Sequence, residues 1–327
     1  MKILITGITG RVGRSLARHM RSHGHEIRGL AIPVDVASGA THGIEAEIVE
    51  GDLGDTAALE KSVKGVDAIV HLAALMAWGD RERDGELFHS NLTGTFRLLE
   101  AATRGSRRLK RFVMASSDEV YPSLGAAYLP IDEEHPLRPQ SFYGMTKQAD
   151  EEMVRYYQRA HGLPISIARF ALVTQPHEVL APDGWLGRFL YLDAMLPLIA
   201  SRAGAEAAKQ LEDLRSGDRT LLLARDADGV PYTFHYCDVR DLVEGLELLV
   251  TNPAAIGEAF NLAGPAPFSY DQAVGYLAEK TGYPVADARI PGPALHIRHS
   301  TAKARSLLGY APRYGIRETI DAAFDHE

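Results

Sequence analysis

Thr6-Gly7-Ile8-Thr9-Gly10-Arg11-Val12-Gly13 follows the apolar run Lys2–Thr6 and opens a helical pattern near 11–23. Its three glycines suit a strand-to-helix turn that holds a dinucleotide. Gly7 permits the tight turn, Gly10 lets backbone approach a pyrophosphate, and Gly13 lets the helix pack closely while its N-terminus faces negative charge. Arg11 and Val12 stand between the last two glycines and belong to the same expected cofactor contact.

Outward from that loop, short apolar segments alternate with helical ones. Lys2–Thr6, Glu26–Ala31, Ala46–Glu50, Ala68–Leu72, Arg111–Ala115 and Ile165–Arg169 read as strands, and 11–23, 56–63, 86–104 and 142–161 as helices. Asp55, Asp238 and Ser269 are expected N-caps. This rhythm predicts an α/β fold: a Rossmann-type, doubly wound parallel sheet with a smaller C-terminal substrate-binding part. The boundary is expected near residue 172, giving a cofactor domain over 1–172 and a substrate or lid region over 173–327, interleaved with the core. A Pro/Gly-punctuated stretch at 175–187 precedes a long helical pattern reaching about 215.

The chain has 327 residues, 46% of them hydrophobic, and a net charge of -8. Its basic cluster, Arg107-Arg108 with Lys110-Arg111, reads as a solvated helix end, so no nucleic-acid partner is expected. The single cysteine, Cys237, excludes an intrachain disulfide. No run has membrane-spanning length and no signal pattern follows Met1-Lys2, so a soluble cytoplasmic protein without membrane contact is expected. No metal site is expected.

The second chemical signal is Tyr143-Gly144-Met145-Thr146-Lys147, downstream of Ser116-Ser117. With 13 Tyr and 8 Lys in the chain, about 0.3 such pairs arise by accident at this helical spacing. Two occur. Tyr276–Lys280 has no serine-bearing strand end before it, whereas Tyr143 begins the helix after the fifth strand and faces the carboxyl edge of the sheet. Asp52 at the third strand's end is placed to accept from an adenine amino group, beside Leu53. Leu72, Ala73 and Ala74 end the fourth strand and let backbone approach the cofactor. Ala31 ends the second strand where an NAD-binding unit usually carries an acidic residue. NADP is therefore not excluded, with Asp35, Arg11 and Arg28 as nearby alternatives, but NAD is preferred.

These residues resemble the extended short-chain dehydrogenase/reductases, the NAD-dependent epimerase/dehydratase family. The likeness runs through the glycine loop, Gly51-Asp52-Leu53, His71-Leu72-Ala73-Ala74, Asn91-x-x-Gly94-Thr95, Ser116-Ser117-Asp118-Glu119-Val120-Tyr121, Tyr143-x-x-x-Lys147, His235-x-x-Asp238 and Asn261-Leu262-Ala263-Gly264. It implies that Ser117 orients a substrate hydroxyl, Tyr143 takes its proton, Lys147 binds the nicotinamide ribose and Asn91 belongs to the cofactor site. It also implies a homodimer. A neighbouring ammonium and an oxidised nicotinamide are expected to lower the Tyr143 pKa.

Asp118-Glu119 is similar to the segment in which nucleotide-sugar 4,6-dehydratases carry an acid and a base, although both also fit as ordinary loop residues. Met76, Ser117, Asp118, Glu119 and Ala171 are the expected substrate contacts. Leu172 and Pro231 replace an Asn and an Arg typical of sugar-nucleotide sites, with Arg188, Arg219 and Arg225 as candidate substitutes. Trp185, Phe189, Tyr191 and Leu192 fall in an expected lid or in core packing.

The leading functional expectation is thus an NAD(P)-dependent oxidoreductase acting on a secondary alcohol of a small polyol, sugar acid or related metabolite. The alternative is a nucleotide-sugar 4-epimerase or 4,6-dehydratase that retains its NAD, and a non-catalytic nucleotide sensor ranks third.

Overall fold

The computed structural model describes residues 1–76, 81–105, 109–122 and 124–325. Its thirteen strands among these residues begin with β1 Lys2–Thr6, β2 Glu26–Ala31, β3 Glu47–Glu50, β4 Ala68–His71, β5 Arg111–Ser117 and β6 Ile165–Phe170. They continue with β7 Leu172–Thr174, β8 Leu221–Arg225, β9 Thr233–Phe234, β10 Tyr236–Asp238, β11 Ala259–Leu262, β12 Phe268–Ser269 and β13 Val285–Arg289.

Seven of them form one parallel sheet in the order β11-β6-β5-β4-β1-β2-β3. Every residue of β4 and β5 is buried, as expected of strands covered by helices on both faces. The helices Arg11–Ser22 and Val239–Thr251 cover one face, and Thr56–Val63, Gly94–Gly105 and Phe142–His161 the other. Strand order reverses between β1 and β4, which opens the crevice where such sheets bind ligands. β11 comes from the C-terminal half, so the sheet itself joins the two halves of the chain. A second apolar core gathers Leu190, Tyr191, Leu192, Phe234, Tyr270 and Leu277 beside the carboxyl edge.

Several local expectations meet a different outcome. The helical pattern at 86–104 is split into Asp84–Leu87, a π-helical turn over Phe88–Thr93, and Gly94–Gly105. The wide turn carries Asn91 inward. The pattern reaching 215 is two helices, Leu192–Ala203 and Ala205–Glu212, because Gly204 takes φ +93° between them. β5 extends two residues past Ala115 and carries Ser116 and Ser117 within the strand.

Asp55 accepts from the Ala58 amide at 3.0 Å and Asp238 from the Arg240 amide at 2.9 Å, as N-caps do. Ser269 makes no cap bond; its hydroxyl donates to Asp271 instead. Arg107 and Arg108 lie outside the described residues. Lys110 is exposed and pairs with Asp67, but Arg111 is buried and donates to the Val250 and Asn252 carbonyls, so it belongs to the core and not to a solvated helix end. Among the described residues no helix is long and apolar enough to cross a membrane.

Candidate active site

The glycine loop is shaped by contact. A Cβ on Gly13 would lie 2.2 Å from the Gly7 carbonyl oxygen, and Gly7, at φ +69°, would put one 2.9 Å from the Ala73 amide. Only glycine fits either place. The helix Arg11–Ser22 then starts with no acidic residue in its first turn, so its positive end is free to face a pyrophosphate. These features fit a dinucleotide.

The basic groups available for an additional 2′-phosphate are engaged elsewhere. Arg28 is buried and donates to the carbonyls of Lys61, Ser62 and Lys64 and to Glu47. Arg11 donates to both carboxylate oxygens of Glu178 and to the Val173 carbonyl. Asp35 reaches back to accept from Thr9 in the glycine loop, placing a carboxylate beside the end of β2.

Beyond the loop lies a cavity of about 1340 Å³, lined by Arg11, Val12, Leu72, Ala74, Met76, Ser117, Asp118, Glu119, Tyr143, Lys147 and Ala171. Ser117, Tyr143 and Lys147 therefore come together on one wall. Ser117 ends β5, while Tyr143 and Lys147 occupy successive turns of the helix Phe142–His161, whose N-cap Ser141 accepts from the Gly144 amide at 2.9 Å. The Lys147 ammonium sits 5.8 Å from the Tyr143 ring centre and donates to the Ala115 carbonyl at 3.1 Å.

Burial lowers the Lys147 pKa, against the opposing charges of Asp150 and Glu151. For Tyr143, burial and the carboxyl groups of Glu119, Asp118 and Asp150 push the phenol up, and Ser117 opposes them. The lowering expected from the sequence is thus not seen in the chain without its cofactor.

The other expected cofactor residues divide. Asn91 is buried: its carbonyl accepts from the Leu75 amide and its amide donates to the Leu75 carbonyl and Thr146, so it braces the segment after β4 against the helix Phe142–His161. Asp52 accepts from the Gly54 amide, Leu53 is buried, and the Ala73 amide donates to Thr6. None of these four lines the cavity.

Asp118 and Glu119 both line it, with different attachments. Asp118 accepts from Ser117 at 3.2 Å and lies 3.7 Å from His299; burial, with Glu119 beside it, raises its pKa to about 7. Glu119 accepts from Ser141, the cap of the helix that carries Tyr143. Leu172 lines the cavity where the Asn was expected, and Pro231 does not reach it. Of the substitute cations, Arg188 lines the cavity and stacks on Trp185 at 4.5 Å. Arg219 is engaged by Tyr283 and Arg225 by Asp287. Trp185 and Phe189 line the cavity, whereas Tyr191 and Leu192 are core.

Tyr276 and Lys280 both bond Asp321, joining the helices Tyr270–Thr281 and Ile316–Phe324, and neither lines the cavity. Several residues with a place here were given no role of their own from the sequence. His71 bridges Thr6 at 2.7 Å and Thr95 at 3.0 Å, and burial followed by the nearby Lys147 charge lowers its pKa to about 3. Asp150, three residues after Lys147, is fully buried and burial raises it to about 7. Arg202, His296 and His299 line the cavity from helix and loop positions with no motif around them.

Residues 3–192 match the family model described as the NAD dependent epimerase/dehydratase family. The chain belongs to that family. It is an NAD-dependent enzyme of the extended short-chain dehydrogenase/reductase type, and NAD is its cofactor.

A short-chain dehydrogenase/reductase superfamily protein from Agrobacterium tumefaciens, solved with bound NAD, is 33% identical with a TM-score of 0.88, covering 99% of this chain and 96% of that one. A UDP-glucose 4-epimerase of Corynebacterium glutamicum is 28% identical over 98% of this chain and 93% of its own length. A uronate dehydrogenase of Pseudomonas syringae is 31% identical but covers 57% of this chain and 64% of its own length. The comparisons favour the alternative drawn from the sequence, the NAD-retaining epimerase or dehydratase, over the small-polyol oxidoreductase.

Proposed function

We propose that this enzyme is a nucleotide-sugar 4-epimerase that keeps its NAD bound while it oxidises and re-reduces one secondary alcohol. The observation that carries the reading is a strap over the cofactor crevice. Arg11, the residue after Gly10, is held by Glu178 and the Val173 carbonyl and lies 4.8 Å from the Trp185 ring centre. Gln175 donates back to the Arg11 carbonyl at 3.2 Å, and Glu178 accepts from the Gln175 amide at 2.7 Å. The segment after β7 is thereby fastened to the loop that faces the pyrophosphate. A dehydrogenase must release reduced cofactor at every turnover; an epimerase gains from holding it.

In this reading Tyr143 removes the proton from the substrate hydroxyl, Ser117 orients that hydroxyl, and Lys147 holds the nicotinamide ribose. The bound NAD supplies a hydride acceptor that later returns the same hydride. Inversion requires the ketone to present its opposite face before the hydride comes back, with Tyr143 then returning the proton. Such a turn needs room; the cavity of about 1340 Å³ is lined both by Arg11 and Val12 on the cofactor side and by Ser117 and Tyr143 on the substrate side, so NAD and substrate share it.

Arg188 and Arg202 line the same cavity and offer positive charge for a diphosphate in the absence of an Arg at 231. Epimerisation is favoured over elimination because Glu119 is already committed to Ser141. The reading extends to a cytoplasmic homodimer, with 1–172 as the cofactor half and 173–327 as the substrate half.

The test is retention. Wild-type protein should carry NAD through gel filtration and release it on denaturation. Glu178→Gln, which keeps the shape but loses the charge-assisted bonds, should dissociate NAD about tenfold faster in a stopped-flow displacement assay. Rapid, complete loss of NAD from the wild type would refute the retained-cofactor reading. Equal rates for the two proteins would remove the strap from its support.

A further inference from the structure

We propose that His19, His23, His25 and Glu247 form a binding site for one zinc-class divalent cation, on the side of the molecule away from the catalytic cavity. His19 lies in the last turn of the helix Arg11–Ser22, His23 follows four residues later, and His25 leads into β2. Glu247 projects from the helix Val239–Thr251, which packs against the first. Its Oε2 lies 2.7 Å from His19 Nε2 and 3.5 Å from His23 Nδ1, and its Oε1 lies 3.7 Å from His25 Nε2. One carboxylate thus faces three imidazoles.

The geometry points to a metal more than to ion pairing alone. One ligand atom each from His19, His23 and Glu247 falls within 4.8 Å of the others, and the His19 and His23 ring centres are 4.4 Å apart. Zinc bonds of about 2.0–2.1 Å place tetrahedral ligands roughly 3.4 Å apart, so small side-chain rotations close the set. Two histidines four residues apart reach the same side of a helix end, a spacing that metal sites exploit.

His23 Nδ1 also lies 3.0 Å from the His19 carbonyl, a contact given up when that nitrogen ligates. Three imidazoles and a carboxylate select borderline metals over magnesium or calcium, which prefer all-oxygen cages. Competing with the ion is the proton, because a metal takes the neutral imidazole and the ionised carboxylate. Binding should therefore weaken as pH falls and the imidazoles charge.

A bound ion would join the dinucleotide-binding helix, at its end remote from the glycine loop, to a helix of the C-terminal half. The expected consequence is stability, with little effect on chemistry.

The experiment uses the full chain with its NAD, freed of metal by a chelator and titrated calorimetrically with zinc chloride. The expected result is one ion per chain and a rise in thermal midpoint with zinc but not with magnesium. His23→Ala, at a half-exposed ring, and Glu247→Gln should each weaken binding by at least about tenfold and abolish the thermal shift. Unchanged NAD content in both variants checks that they fold. Absence of stoichiometric zinc binding in the wild type, or binding indifferent to both substitutions, would overturn the proposal.

Discussion

Tyr143→Phe should lower turnover by at least about a hundredfold, the lower end of what a positioned acid/base contributes. NAD content should stay nearly unchanged, because Lys147 and the glycine loop are untouched. The phenol is buried and lines the cavity beside Ser117, and the protein's own carboxyl groups resist its ionisation. The two carboxylates beside it are already engaged, Asp118 by Ser117 and Glu119 by Ser141. Tyr276→Phe is the control and should retain activity, since that hydroxyl serves Asp321 at the surface. Steady-state rates on the same substrate, with NAD quantified after denaturation, check both halves. A dead Tyr276→Phe beside an active Tyr143→Phe would reverse the choice between the two Tyr/Lys pairs.

Glu151→Gln should strongly destabilise the fold. Arg169 donates to both Glu151 oxygens at 2.9 and 2.7 Å, and the two side chains are 3% and 1% exposed. Ser116 donates to the same carboxylate at 2.6 Å, and Arg169 continues to the Tyr121 hydroxyl, which donates to Asn261. Removing the charge leaves a buried guanidinium uncompensated, at a cost of about 3–5 kcal/mol. Glu86→Gln, which breaks an exposed pair with Arg83, should cost about 0–1 kcal/mol. Chemical denaturation of the holoenzymes would read the difference, and equal midpoints for the two variants would contradict this account of the network. The pair also fastens the helix Phe142–His161 to β6, so the Tyr143 position depends on it.

What the sequence made legible follows from locality. The glycine loop, the helix over 142–161 and the Ser117–Tyr143–Lys147 set are each written in short spacings, and β4 and β5 in continuous apolar runs. Arg111 misled because a basic run looks solvated until the chain's return covers it: the carbonyls it reaches belong to Val250 and Asn252, about 140 residues on. The π-helical turn at Asn91 was hidden because its apolar pattern stays nearly helical while one extra residue is accommodated.

The strap was out of reach for the same reason as Arg111. Arg11 and Glu178 are 167 residues apart, and nothing near Arg11, read as a cofactor contact, points to Glu178. Asp150 has no local signal either; its unusual burial follows from the helix face on which Lys147 must sit. The substrate side was least legible because its lining comes from loops and helix ends of several elements, with no repeated spacing to read.

Product analysis tests the central claim most directly. NAD-loaded protein, with no cofactor added, is incubated with UDP-glucose or with UDP-galactose, and the sugar's C4 configuration is followed by proton NMR while nicotinamide absorbance is recorded. The predicted result is interconversion of the two sugars over many turnovers with no net NADH and no 4-keto product. Stoichiometric NADH accumulation with an oxidised sugar would contradict the account, as would turnover that requires continual addition of NAD.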